Sequence, residues 1–183
     1  MKDQLRATLI IVSYGRPDLV LQLLDSIAQH TPEPHELLII DNASKSAEAR
    51  MITTHPSQPR VIEAPRNLGY GGGVNFGVRN SATETVVIMN SDLQVTPKWL
   101  SPLLAVIEQH TAAIAAPLYL DGDGNTIESG ASITVDGHVL GSRTSGVGVK
   151  PVDHVSAACW AFNKQWFEAM GGFDPTSGPG TEA

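Results

Sequence analysis

Asp92 is the residue of this 183-residue chain whose type and place most directly suggest chemistry. It follows the apolar run 85–89, and a carboxylate straight after a buried strand can hold a hard divalent cation, which prefers oxygen ligands and bridges phosphates. Asn90 stands two residues earlier and shares that face if the extended geometry continues. The plainer reading of Asn90-Ser91-Asp92 is a turn leading to Pro97. Three other polar groups follow apolar runs in the same way: Ser13-Tyr14-Gly15, Asp41-Asn42, and the glycine-rich stretch 67–75, which runs from Asn67 through Gly69 to Asn75. Any one of them is also what an ordinary turn looks like, because Asp and Asn end strands as turn formers. The glycines of 67–75 would let backbone approach a ligand ahead of a helix N-terminus. The stretch is neither a P-loop nor a dinucleotide fingerprint, since no Gly-Lys-Ser/Thr follows and it comes after the third strand. Cys159, in an apolar run beside Trp160 and Phe162 with no basic neighbour, reads as a buried and inert thiol.

The elements that must position these groups alternate. Residues 6–13, 36–41, 60–63 and 85–89 are short apolar runs rich in β-branched residues, the pattern of strands buried on both faces of a parallel sheet. Between them, Pro17 opens a helix with a stripe at Leu19, Val20, Leu23, Leu24 and Ile27. Residues 46–54 are a weaker helix, the glycine-rich stretch leads into a helix carrying Val74 and Val78, and Pro97 opens another with Leu100, Leu103, Leu104 and Ile107. A fifth strand is expected at 112–117. Repeated strand–helix units predict an α/β fold with a mostly parallel sheet. In such sheets ligands bind beyond the carboxyl ends of the strands, which would gather the four polar groups at one edge. After residue 118 the texture changes to hairpin turns at 121–124 and 136–137, then a strand at 152–162 and a short helix at 164–170 ended by Gly171-Gly172. This predicts a smaller antiparallel portion in the C-terminal third. No linker divides the chain, so residues 1–183 read as one domain, and the tail 175–183 holds nothing large and apolar to dock it.

Composition narrows the classes. Lys and Arg number 12 against 19 Asp and Glu, a net charge of −7, so no basic surplus exists to neutralise a track of phosphates and nucleic acid is not an expected partner. Hydrophobic residues at 42% exclude a disordered chain. No apolar run reaches membrane-spanning length, and the N-terminus does not open a signal peptide, which predicts a cytoplasmic location. One cysteine allows neither an internal disulfide nor a cysteine-based metal site.

Taken in order, Ile10-Ile11-Val12-Ser13-Tyr14, residues 38–44, residues 66–75, residues 87–92 and Gly171-Gly172-Phe173-Asp174 resemble the family 2 glycosyltransferases of GT-A fold, especially their rhamnosyltransferase-like branch. The resemblance covers about residues 7–174, with 7–118 as the donor-nucleotide half and 119–174 as the acceptor side. It implies a Rossmann-like sheet binding a nucleotide diphosphate sugar. Ser13 and Tyr14 would lie beside the nucleoside, Asp41 near base or ribose, and Asn67, Gly69 and Asn75 around the nucleoside pocket. Asn90-Ser91-Asp92 would replace the family's metal motif, with Asp92 holding Mg2+ or Mn2+ on the diphosphate. Acceptors in this family are sugars, lipid-linked sugars or polysaccharides, and peripheral membrane association and homo-oligomers occur in it.

Family members continue past Gly-Phe-Asp through aromatic residues to a Glu-Asp pair whose Asp is the general base. Counting forward without gaps puts Glu182 at the Glu and Ala183 at the base, which makes Glu182 the one late carboxylate near that position. The helices that finish the family's acceptor site would lie beyond it. The expected activity is therefore inverting sugar transfer, with a domain that binds the nucleotide sugar without turnover as the alternative. A sugar-phosphate nucleotidyltransferase would need a glycine- and basic-rich loop after the first strand, where only Gly15 and Arg16 stand.

Overall fold

A computed structural model describes residues 4–44, 46–109, 111–144, 146 and 148–174 of the chain. The four apolar runs form parallel strands, β1 (Ala7–Ser13), β2 (His35–Asp41), β3 (Arg60–Glu63) and β4 (Thr85–Met89). All of β4 and all of β1 except Val12 is buried, which is why both read as unbroken apolar runs rather than alternations. Helix α1 (Pro17–His30) buries Val20, Leu23, Leu24 and Ile27, the stripe its sequence predicts. Helix α2 (Ser46–Thr53) follows β2, and α4 (Leu100–Glu108) follows β4. Pro97 does not open α4 as expected. Lys98 takes a left-handed φ of 66°, so the helix cannot begin until the chain has turned.

The larger departure is α3 (Gly69–Asn80), which absorbs most of the stretch read as a glycine-rich loop. Five glycines in a helix lower its intrinsic propensity, yet tertiary contact reverses the outcome. A Cβ on Gly73 would sit 2.8 Å from Val12 Cγ1, and one on Gly77 would sit 2.6 Å from Ile10 Cγ2. The glycines are what lets α3 lie directly on β1.

The main sheet runs β3-β2-β1-β4-β10-β5, where β10 (Cys159–Asn163) is antiparallel to both β4 and β5 (Ile114–Ala115). The late strand expected over 152–162 is thus only its last part, and it separates β4 from the fifth strand. Residues 152–158 run instead against two small hairpins. These are β6 (Tyr119–Leu120) with β7 (Thr126–Glu128), and β8 (Ala131–Ile133) with β9 (Val139–Gly141). Glu128 accepts the Ser156 N–H at 3.0 Å and His154 bridges to Ala131, which draws this segment off the sheet.

The chain steps from β1 to β2 to β3 in one direction and then crosses back over β1 to β4. Residues of α1, α2 and α4 pack on one face of the sheet, while α3 and α5 (Lys164–Ala169) pack on the other. Right-handed crossovers require that change of face when the direction reverses. At the amino end of the parallel strands, the Glu36 carboxylate collects the Thr8 hydroxyl (2.8 Å), the Ala82 N–H (3.0 Å) and the Arg60 guanidinium (2.6 Å). These bonds tie the amino ends of β1, β2 and β3 together.

Candidate functional site

The strand order reverses between β1 and β4, and beyond the carboxyl ends of the strands at such a point is where open α/β sheets bind their ligands. Register pairs Ile11 with Met89 and Ser13 with Asp41, so Ser13, Asp41 and Asn90 end neighbouring strands at one level. Ser13 and Asp41 are buried. The Asn42 N–H donates to the Ser13 carbonyl and the Ala64 N–H to the Asp41 carbonyl, both at 2.8 Å, which laces the three strand ends together. The Asp41 carboxylate accepts the Ser44 N–H at 3.0 Å. Beyond Ser13 the chain turns sharply, with Gly15 at φ 66°, and leaves the Tyr14 ring 62% exposed at the mouth.

Asn42, which the sequence presents only as a turn residue, joins the second strand end to the start of α3. Its side-chain oxygen accepts the Leu68 N–H at 2.8 Å, and its amide nitrogen donates to Asn67 Oδ1 (3.0 Å) and to the Gly69 carbonyl (3.1 Å). Asn67 Oδ1 also accepts the Gly69 N–H at 2.9 Å. Asn67 and Gly69 are thereby held beside the end of β2. The sequence signal for Asn42 was its place between a buried strand and an amide-rich turn, where a two-ended side chain can serve both.

Asp92 lies just past β4 and is exposed. The chain does not stay extended there. The Asn90 N–H donates to the Ala158 carbonyl at 2.8 Å and the Leu93 N–H reaches back to the Asn90 carbonyl at 3.4 Å, so Asn90 and Asp92 are related by a turn rather than by strand alternation. Tyr70, on the first turn of α3, faces this corner and donates its hydroxyl to the Ala157 carbonyl at 3.1 Å. Burial lifts its phenol above the usual tyrosine range, and Cys159 and the Asp92 carboxylate add to the effect. Tyr70 stays protonated and serves as a wall.

Among the described residues, no three of His, Cys, Asp and Glu lie together as a metal cage. Asp92 offers a single accessible carboxylate. That donor set suits a cation that arrives with phosphate oxygens and water in its shell, the usual way Mg2+ is held.

Asn75, expected around the nucleoside pocket, has its side chain on the segment after α5. It is six residues beyond Gly69, roughly 9 Å along the helix at 1.5 Å per residue, and both ends of its amide engage Phe173. Its nitrogen donates to the Phe173 carbonyl at 2.7 Å and its oxygen accepts the Phe173 N–H at 3.0 Å. Cys159 is fully buried, with its thiol pushed up to about 12 by desolvation, and so is inert as read from the sequence. Beside Ala157 a cleft of about 610 Å3 opens between the hairpins, with Glu128, Ser142, Arg143, His154 and Ser156 on its walls. Glu182 lies outside the described residues.

The sequence model of the family described as Glycosyl transferase family 2 matches residues 8–171, from β1 to the turn after α5. The chain belongs to this family. Among its curated relatives, this family 2 glycosyltransferase chain is 28% identical over 177 residues to the low-salt glycan biosynthesis hexosyltransferase Agl10 of Haloferax volcanii, which covers 90% of this chain and 54% of that protein. It is 24% identical over 185 residues to the O-antigen biosynthesis protein RfbC of Myxococcus xanthus, covering 92% of this chain and 14% of RfbC. The chain therefore spans about half, or less, of the length of these relatives.

The glycosyltransferase fold is also that of solved structures. The mannosyltransferase PcManGT from Pyrobaculum calidifontis, in complex with GDP-Man and Mn2+, superposes with a TM-score of 0.67 at 18% identity over 95% of this chain and 49% of its own. GalNAc-T7 with UDP, GalNAc and Mn2+ gives 0.73 at 16% identity over 100% of this chain and 40% of its own. At such identities the likeness is one of fold, and it agrees with the GT-A architecture expected from the motifs. No helix among the described residues is long and apolar enough to cross a membrane.

Proposed function

We propose that this chain seats a nucleotide diphosphate sugar in the crevice between β1 and β4 and transfers the sugar to an acceptor hydroxyl with inversion. One observation carries the reading: the fold brings Ser13, Tyr14, Asp41, Asn67, Gly69, Asn90 and Asp92 to one edge, at the point where the strand order reverses. In it, Ser13 and the exposed Tyr14 ring flank the nucleoside, Asp41 lies toward base or ribose, and the Asn67–Gly69 turn closes the pocket. Asn90 lies on the phosphate side and Asp92 holds Mg2+ or Mn2+ on the diphosphate. Bound there, the cation would offset the charge of the departing nucleoside diphosphate, which no cluster of Lys or Arg at these positions can do. The Mn2+ in both structural neighbours supports this choice.

The chain's own residues hold and exclude. The Asn42 clasp fixes the Asn67–Gly69 turn, so the pocket costs little to organise on binding. Tyr70, protonated and tied to Ala157, screens Asp92 on the sheet side. Neither it nor Cys159 is poised to take a proton. Inversion by direct displacement needs a carboxylate to deprotonate the acceptor, and Glu182 is the candidate from its position after Asp174. The hairpin cleft beside Ala157 would receive the acceptor, a sugar, lipid-linked sugar or polysaccharide, as the glycan roles in the names of RfbC and Agl10 favour.

Turnover tests the reading. The chain is incubated with UDP-, dTDP- and GDP-sugars and Mn2+, and release of nucleoside diphosphate is followed. Release that disappears in Asp92→Ala supports transfer chemistry. Metal-dependent nucleotide binding without release, with acceptors supplied, would replace it by a domain that only binds the donor.

A further inference from the structure

Two asparagines grip α3, and they face different parts of the molecule. Asn42 ties its first residues to the end of β2, on the side proposed for the donor. Asn75 ties its middle to the segment that follows α5. We infer that Asn75 is a positioning residue for the acceptor side: it holds the Gly171–Asp174 segment, and through Phe173 the aromatic wall around Trp160, against the helix that borders the donor. The inference rests on the donor-site reading above.

The fit is close. An amide carries its donor and its acceptor on separate atoms of one short side chain, and Asn75 uses one on the Phe173 carbonyl and the other on its N–H. Gly172 has a φ of 71°, and a Cβ there would meet Asn75 Oδ1 at 2.6 Å. A Cβ on Gly71 would meet Phe173 Cβ at 2.9 Å, so at each contact a glycine on one side leaves room for a side chain on the other. Held this way, the Phe173 ring stacks on Trp160 with centroids 5.7 Å apart and planes at 21°. It meets Phe167 edge-on at 5.6 Å and Tyr70 at 6.3 Å. The Trp160 indole N–H is buried within this group and has no hydrogen-bond partner among the described residues. An indole left in that state is kept there by its surroundings rather than by a bond of its own. Tyr70 then passes the contact to Ala157, at the boundary of crevice and cleft.

The test uses the full chain with Trp99→Phe and Trp166→Phe, so that Trp160 alone fluoresces. Asn75→Ala is expected to red-shift Trp160 emission and to raise its acrylamide quenching about twofold or more, as the segment opens locally. Metal-dependent affinity for UDP, dTDP or GDP should stay within about threefold of the parent, because the change is remote from the donor contacts. Asn42→Ala should show the converse, weaker nucleotide binding with unchanged Trp160 emission. Asn75→Asp keeps the acceptor for the Phe173 N–H but not the donor for its carbonyl, so it should give intermediate quenching, and it serves if the alanine variant does not fold. Unchanged Trp160 emission in both Asn75 variants overturns the inference. So does loss of nucleotide binding in them to the extent seen in Asp92→Ala. A parent chain that binds no nucleotide would refute the donor-site reading instead, while the Trp160 signal still decides whether Asn75 holds the wall.

Discussion

Asn42 and Leu68 are joined across 26 residues by a single hydrogen bond of 2.8 Å, from the Leu68 backbone N–H to the Asn42 side-chain oxygen. Asn42 is buried, and its amide nitrogen bonds Asn67 and Gly69 as well. Asn42→Ala leaves the Leu68 N–H and the Gly69 carbonyl without this partner, a loss of about 1–3 kcal/mol. Calorimetry should show a fall in Tm of roughly 2–4 °C per kcal/mol. Asn42→Asp should be worse, because it turns a carboxylate oxygen toward two other oxygens. An Asn42→Ala chain with parental Tm would remove the clasp from the account.

Gly77→Ala separates two effects that the sequence sets against each other. Removing glycine from a helix interior gains about 0.5–1 kcal/mol. Here the new Cβ would lie 2.6 Å from Ile10 Cγ2 and 3.2 Å from Ile40 Cγ1, both on buried strands with no room to retreat. Overpacking of that kind costs typically 1–3 kcal/mol. The net should be destabilising by about 1 kcal/mol or more, read as a lower urea midpoint with unchanged slope. A stabilised variant would mean that α3 stands off β1.

Most of the parallel sheet was legible because burial on both faces leaves a local trace. Runs such as 85–89 cannot be much else, and β3 and β4 fall on their expected residues. α3 was not legible over 69–75, since the reason for its glycines is Val12 and Ile10, more than 60 positions away in the chain. The same holds for the site. Ser13, Asp41 and Asp92 announce themselves by ending strands. The tasks of Asn42 and Asn75 are set by backbone groups 26 and 98 residues away, and nothing local marks such a partner. The late strand was overextended because 152–158 is apolar enough for a sheet but is held by Glu128 and Ala131 of the hairpins.

Alkaline pH should destabilise the fold through groups kept neutral by burial. The Cys159 thiol is held up to about 12, and burial also raises Tyr70 and Tyr119 above the usual phenol range. A folded-state value raised above the unfolded one means stability that is complete below the unfolded value and is lost as pH rises toward the folded one. The unfolded thiol titrates near about 8.5, so stability should fall above that pH by up to about 1.4 kcal/mol per unit, and more steeply above about 10, where unfolded tyrosines ionise. Urea midpoints measured from pH 7 to 10.5 check this. A flat profile would contradict it, as would rapid labelling of native Cys159 by a thiol reagent.

Tyr119 has a second role that a phenylalanine cannot fill. Its oxygen accepts the Cys159 N–H at 2.8 Å and its hydroxyl proton serves the Ser156 or Cys159 carbonyl at 3.3 and 3.2 Å. Tyr119→Phe should therefore cost about 1–3 kcal/mol, and hydrogen exchange at the start of β10 should speed up while that of β1 and β2 does not. Equal protection throughout would show that the hairpins do not anchor β10.

The central claim is a metal-assisted nucleotide seat at the ends of β1 and β4, with Asp92 in it. Thermal shift with UDP, dTDP and GDP, each with and without Mn2+, on the parent chain and on Asp92→Ala, tests it most directly. A nucleotide at about 100 times its dissociation constant stabilises by about 2.7 kcal/mol, or roughly 5–10 °C for a domain of this size. The account predicts such a shift for one nucleotide, dependent on Mn2+ and absent in Asp92→Ala. An equal shift in Asp92→Ala, or none with any nucleotide, would contradict it.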